Sequence, residues 1–102
     1  MPFLGGEKGM KTNDKEVNLK ITPMAIRKVE EMDESFDVLK IIREAEEGKE
    51  PRLSDYYKVV YTGYIGATNE SIAYDEFLKL VEDVDILIIN SVGVDLLTKR
   101  KN

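Results

Sequence analysis

The sequence predicts an α+β domain in which one main helix packs on a small, mostly antiparallel or mixed β-sheet. Residues 17–22, "VNLKIT", alternate apolar and polar side chains as a half-buried strand does. A helix-start signature follows at once, with apolar residues at helical spacing behind it. Three later runs, in residues 36–45, 56–66 and 84–90, are rich in the β-branched and aromatic residues that favour strands.

Each element has its own justification. Residues 1–16 mix glycines and charges with little periodicity and are expected to form a flexible N-terminal arm, leaving 17–102 as the single domain. In the first strand Val17, Leu19 and Ile21 face one way. Thr22 then stands where a helix wants an N-cap, and Pro23 at the first helical position, where its missing N–H is not needed. Ala25, Ile26, Val29 and Met32 supply the apolar stripe, with Arg27, Lys28, Glu30 and Glu31 on the wet face. The acidic stretch after Met32 opposes the negative pole of the helix dipole, so the helix is expected to stop near Ser35.

"FDVLKIIREA" follows as a strand, its doubled isoleucine compatible with burial on both faces. "EEGKEPRLSD" combines Gly48 and Pro51 with charges and reads as a loop. "YYKVVYTGYIG" returns to strand chemistry, with Tyr57, Val59 and Tyr61 on one face and Tyr56, Lys58, Val60 and Thr62 on the other. Residues 71–83 fit two templates. Tyr74, Phe77, Leu78 and Val81 satisfy the helical spacing, whereas Leu78, Leu80, Val84 and Ile86 nearly satisfy a strand. "VDILIIN" is read as a strand, and "SVGVDLLTKR" as a short terminal helix or turn capped by Ser91.

Composition closes off many functions. The chain has 102 residues, 42% hydrophobic and 34% charged, enough for one modest core. A net charge of −5 disfavours nucleic acid as a partner, because phosphate binding needs a basic field. There is no cysteine and no histidine. Thiolate and imidazole ligands are therefore missing, as are a cysteine nucleophile and a histidine base, so no cofactor, no metal and no enzymatic activity is expected. No apolar run approaches the ~20 residues that cross a bilayer, and a cytoplasmic protein without membrane contact is the expectation.

Two stretches resemble a known family. "LKITPMAIRKVEEM", residues 19–32, is similar to the opening of the HesB-like domain, the A-type iron–sulfur cluster assembly family, in which a strand ends in threonine or serine and a helix starts on small apolar residues. "DEFLKLVEDVDILIINSVGVDLL", residues 75–97, is similar to that family's closing pattern of strand, tight turn, strand, serine and leucine pair. The likeness covers residues 17–97. It implies a HesB-like sheet, a turn at Asp83 and Val84 between two strands, and a helical fit of Tyr74 to Val81 that is accidental. The family's cluster-binding cysteines have no counterpart here, so the resemblance implies a cysteine-less, non-catalytic binding protein that holds no cluster.

Candidate contacts gather around the 44–55 loop, which occupies the family's ligand-loop position. Arg43, Lys49 and Arg52 there are suited to a carboxylate or phosphate, and Tyr56 and Tyr57 to an interface, so a protein partner or a small anionic ligand is expected. A solvated loop with surface ion pairs explains the same residues. Asp83 and Asp85 read as a charged turn rather than a cation site. The sequence leaves self-association open. An alternative takes residues 71–83 as helix and makes the chain a small α/β nucleotide-binding domain that uses a 63–68 loop with Gly63, Gly66 and Thr68.

Overall fold

A computed structural model of the chain describes residues 7–11, 16–33 and 36–98. Its elements run β1 (Glu7–Lys11), β2 (Glu16–Lys20), α1 (Pro23–Met32), α2 (Val38–Glu46), α3 (Leu53–Thr68), α4 (Tyr74–Leu80) and α5 (Ile86–Thr98). The expected sheet-dominated, HesB-like α+β fold with one main helix is thus corrected. The described residues form a mostly helical fold of five helices with a single two-stranded antiparallel sheet.

The alternation in β2 does what it predicts: Val17, Leu19 and Ile21 are buried while Glu16, Asn18 and Lys20 are exposed. Its partner is the unexpected element. Glu7–Lys11 pairs with β2, with Glu7 opposite Lys20 and Met10 opposite Val17, and Met10 is buried. The expected loose arm therefore includes a strand that contributes to the core. Residues 1–6 and 12–15, also assigned to that arm, lie outside the described residues.

Helix α1 starts as its sequence dictates. The Thr22 hydroxyl accepts a hydrogen bond from the Ala25 N–H at 3.0 Å, and Pro23 opens the first turn. Ala25, Ile26 and Val29 are buried and Met32 is largely exposed. The helix ends at Met32, with Asp33 as its C-cap, slightly before the expected stop.

The three runs read as strands are helices. In α2, Val38, Ile41 and Ile42 fall at i, i+3 and i+4 and are buried together, and Asp37 caps the start by accepting from the Lys40 N–H at 3.1 Å. Its other end is a Schellman motif. Gly48 adopts φ +92°, its N–H donates to Ala45 O at 3.1 Å, and the Lys49 N–H donates to Glu44 O at 2.9 Å.

Helix α3 is the centre of the fold and packs on β2, α1, α2 and α5. Seven consecutive residues, from Val59 through Ile65, are buried. A helix enclosed on all sides carries no polar stripe, so β-branched and aromatic residues fill every face and imitate a strand. Two glycines let its neighbours approach. A Cβ on Gly66 would collide with the Lys20 carbonyl, and one on Gly93 of α5 would meet Tyr56 Cδ1 at 2.5 Å.

Residues 74–80 settle the two-template segment in favour of the helix, α4, and correct the two-strand turn implied by the resemblance. Seven residues make a marginal helix alone, and this one is fixed by Phe77, which is fully buried, and by Val81 beyond its end. Helix α5 begins at Ile86, several residues before the expected terminal helix, and takes in the supposed strand "VDILIIN". Its first turn is capped by Asp85, whose carboxylate accepts from the Leu87 N–H at 2.9 Å, while the expected cap Ser91 lies exposed within the helix.

Candidate functional site

Three places bring together side chains of a kind that can contact a ligand or partner. The first is the junction of α2 and α3. There a groove of about 400 Å³ sets Asp37, Glu44 and Asp55 against Lys40, Arg52 and Lys58. A smaller hollow of about 160 Å³ adjoins it and adds Lys49 and Glu50. Of the expected contact residues, the structure brings only Lys49 and Arg52 to these walls. Arg43 is exposed on α2 but lines neither groove, and Tyr56 is buried against Gly93 and lines neither. Tyr57 is half-buried and lines neither groove either.

Charge decides what this groove can do. Its cations are matched by carboxylates on the same walls, one of which, Asp55, already accepts from the main-chain N–H of Arg52 at 3.1 Å through Oδ2. An entering carboxylate or phosphate would meet Glu44 and Asp37 as well as Lys40 and Lys58. The field is self-cancelling and exposed, which makes it a poor trap for a small anion.

The second place is an aromatic cluster between α3 and α4. The Phe36, Tyr61 and Tyr74 rings meet edge to face, with centroid separations of 5.8, 4.8 and 5.1 Å, and Phe77 lies tilted against Tyr61 and nearly parallel to Tyr74. A hollow of about 170 Å³ opens beside them, between Val29, Met32 and Tyr74. Separations this short mean the rings touch one another, leaving no cage for a ligand cation between them. The Tyr61 hydroxyl is committed too, donating to Ile72 O at 2.6 Å. Burial pushes the Tyr74 hydroxyl up to about 12, helped by the charges of Tyr57, Asp75 and Tyr61, and raises Tyr61 as well. These tyrosines serve packing and are not the faces of a strand.

The third place was not singled out by sequence reasoning. On α5, Ile89, Val92, Gly93, Leu96 and Leu97 are buried on α3 and β1, and the opposite face carries Leu87, Asn90, Ser91 and Val94, all exposed. Leu87 is 72% exposed, the highest value among the large apolar residues described, with Ile86 and Ile88 about half exposed beside it. From Ile86 to Val94 the helix has no charged residue, in a chain that is 34% charged. That uncharged run was the available signal. It was absorbed into a buried strand because a strand buried on both faces and a helix apolar on all faces look alike over so short a length.

Comparisons with protein-family models, curated proteins and solved structures found no match for the chain. The site therefore rests on its own geometry. Among the described residues, no group of three or more acidic side chains converges to hold a metal ion, and no helix is long and apolar enough to cross a membrane. The 63–68 segment expected to cradle a nucleotide is helical throughout, with the Thr68 hydroxyl donating to Tyr64 O at 2.9 Å and Gly66 pressed on β2. It offers no loop to close around phosphates.

Proposed function

We propose that the chain is a non-catalytic protein-binding module whose contact surface is the outer face of α5. One observation carries the reading: Leu87, Val94 and the flanking Ile86 and Ile88 stand exposed on a helix that is uncharged for nine residues, Ile86 to Val94. A helix apolar all round belongs in an interior, and one left with a bare side lowers its free energy by covering it. Burying a side chain such as Leu87 contributes about 1.5–3 kcal/mol, so a few of them support an interface.

The chemistry available to the sequence supports the same reading. Without cysteine or histidine the chain has no thiolate or imidazole metal ligand and no side chain titrating near neutrality by default. The α2–α3 groove, balanced in charge, favours no small anionic ligand over solvent.

A photoreactive residue in place of Leu87 tests the proposal in the cells that make the protein. The expected result is a discrete adduct with one identified protein chain, abolished by Val94→Asp. A probe in place of Arg27, exposed on α1, is the control and should give none of it. Equal adducts from both positions would remove the basis for the reading.

A further inference from the structure

The α2–α3 groove is a poor trap for a lone charge, and for the same reason it suits a molecule that carries charges of both signs. We infer that it binds a small zwitterion bearing one ammonium and one carboxylate, of the amino-acid or short-peptide class. The site is separate from the outer face of α5, and it stands or falls independently of what that face contacts.

Glu44, near the end of α2, shares the smaller hollow with Arg52 and Asp55 at the start of α3. At the other end of the groove, Lys58 Nζ lies over the Phe36 ring at 5.2 Å, one residue before Asp37 caps α2. The two helices therefore run in opposite directions along the groove. Asp37, Lys40 and Glu44 share one face of α2 at i, i+3 and i+7, and Arg52, Asp55 and Lys58 follow one another at three-residue intervals on the α3 side. From the start of α2 onward, one wall is thus negative, positive, negative. The facing wall is positive, negative, positive.

This order sets Asp37 toward Lys58, Lys40 toward Asp55 and Glu44 toward Arg52. Among the described residues, however, none of these facing groups is in ion-pair contact, whereas Arg27 and Glu31 on α1 meet at 3.2 Å. The groove of about 400 Å³ keeps them apart, and that volume lies within the roughly 300–1,000 Å³ of small-molecule sites. Two of the carboxylates are held in place from behind. Asp37 Oδ1 accepts from the Lys40 main-chain N–H and Asp55 Oδ2 from that of Arg52, so neither side chain is free to swing across and close the gap.

A lone anion drawn to Lys40 has Asp55 facing it, and a lone cation drawn to Asp55 has Lys40 facing it. A ligand with both groups sets its carboxylate against Lys40 and its ammonium against Asp55, so each charge meets its opposite. Ile41, buried between Lys40 and the next turn, is the one apolar side chain lining the groove and offers an aliphatic substituent a surface. The charges sit at a wet surface where each pair contributes little, which puts the dissociation constant in the millimolar range and makes it rise with salt.

Amide-resolved NMR titration of the full chain at neutral pH tests this with L-leucine and glycyl-L-leucine, which carry both charges, and with N-acetyl-L-leucine and L-leucinamide, which each carry one. At least one zwitterion is expected to shift the amides around Lys40, Glu44 and Asp55 at millimolar concentration, and the tighter of the two shows whether the amino acid or the peptide is the better fit. Each single-charge analogue should bind at least tenfold more weakly, and high salt should weaken the zwitterion. Lys40→Gln, an exposed position whose side chain makes no cap, should reduce zwitterion affinity severalfold, while Lys79→Gln, which removes the same charge from the exposed side of α4, should leave it unchanged. Asp37 and Asp55 are left alone because they cap α2 and α3. The inference is overturned if neither zwitterion shifts these amides up to its solubility limit. It is overturned equally if a single-charge analogue binds as well as the zwitterion, or if the two lysine variants behave alike.

Discussion

Gly66 of α3 lies against the main-chain carbonyl of Lys20 in β2, with no space for a methyl group between them. Helix and hairpin therefore meet backbone to backbone, and the central helix sits deeper than any side chain would allow. In a helix interior, replacing glycine by alanine ordinarily gains about 1 kcal/mol. Here the obstacle is backbone, which cannot rotate aside, so the sign reverses. Gly66→Ala is expected to lower stability by about 1–3 kcal/mol as β2 is pushed off α3. Urea denaturation followed by far-UV circular dichroism reads this, and a stabilised variant would contradict the packing.

Tyr56 and Gly93 form the corresponding contact between α3 and α5. A Cβ on Gly93 would meet Tyr56 Cδ1 at 2.5 Å and Cβ at 3.0 Å. Gly93→Ala should therefore be destabilising in the wild-type background. The obstacle here is largely a side chain, so most of it can be removed. In a Tyr56→Ala background the ring atoms are gone and only the 3.0 Å approach to Cβ is left, so the same change should cost less than it does in the wild type. The double-mutant cycle isolates that relief. Additive effects would mean that the two residues are not in contact.

Alkaline pH should unfold the chain through its tyrosines. A tyrosine in an unfolded chain loses its proton near pH 10, whereas burial, and then the charges of Tyr57, Asp75 and Tyr61, hold Tyr74 at about 12 in the fold. Tyr56, Tyr61 and Tyr64 are raised as well, in each case chiefly by burial. Between those values the folded chain keeps protons that the unfolded chain has released. Stability from this source is then complete below about pH 10 and is lost as pH rises toward about 12. Urea midpoints measured across that range should fall, and Tyr74→Phe should make the fall shallower. A flat profile would show that the ring is not held in its neutral form.

How much of this could be read from the chain depends on where each signal resides. Thr22 and Pro23 act locally, through a cap and a fixed φ, and the helix begins where they stand. The alternation of Val17, Leu19 and Ile21 is equally local in origin and was legible. Strand β1 was not, because Gly9 and its charged neighbours become a strand only by pairing with β2. The central error concerned α3 and α5. Val59, Val60, Tyr61 and Ile65 are strand-favouring residues, but that preference spans only about 1 kcal/mol and yields to tertiary packing. In α2 the helical spacing of Val38, Ile41 and Ile42 was present but hidden by the doubled isoleucine. For α4 the helical spacing of Tyr74, Phe77, Leu78 and Val81 was present, but Leu78, Leu80, Val84 and Ile86 nearly fit a strand as well, and the family resemblance tipped the reading that way. In the candidate site, Lys49 and Arg52, expected on the 44–55 loop, line the hollows at the α2–α3 junction. Their neighbouring carboxylates arrive from α2 and the first turn of α3, where a strand reading had scattered them.

The two faces of α5 provide the sharpest test of the helical assignment and of the exposed surface together. Ile89 is fully buried and Leu87, two residues earlier, is 72% exposed. If residues 86–90 formed a strand with a single buried face, positions 87 and 89 would point the same way, and both substitutions would be costly. On the helix they point apart. Ile89→Ala should cost about 2–5 kcal/mol by leaving a cavity under the helix, while Leu87→Gln should stay within about 0.5 kcal/mol of wild type. Both are measured by urea denaturation at concentrations low enough to keep the chain monomeric, so that association does not add to apparent stability. Comparable losses at the two positions would overturn the helix, and with it the uncovered face on which binding depends.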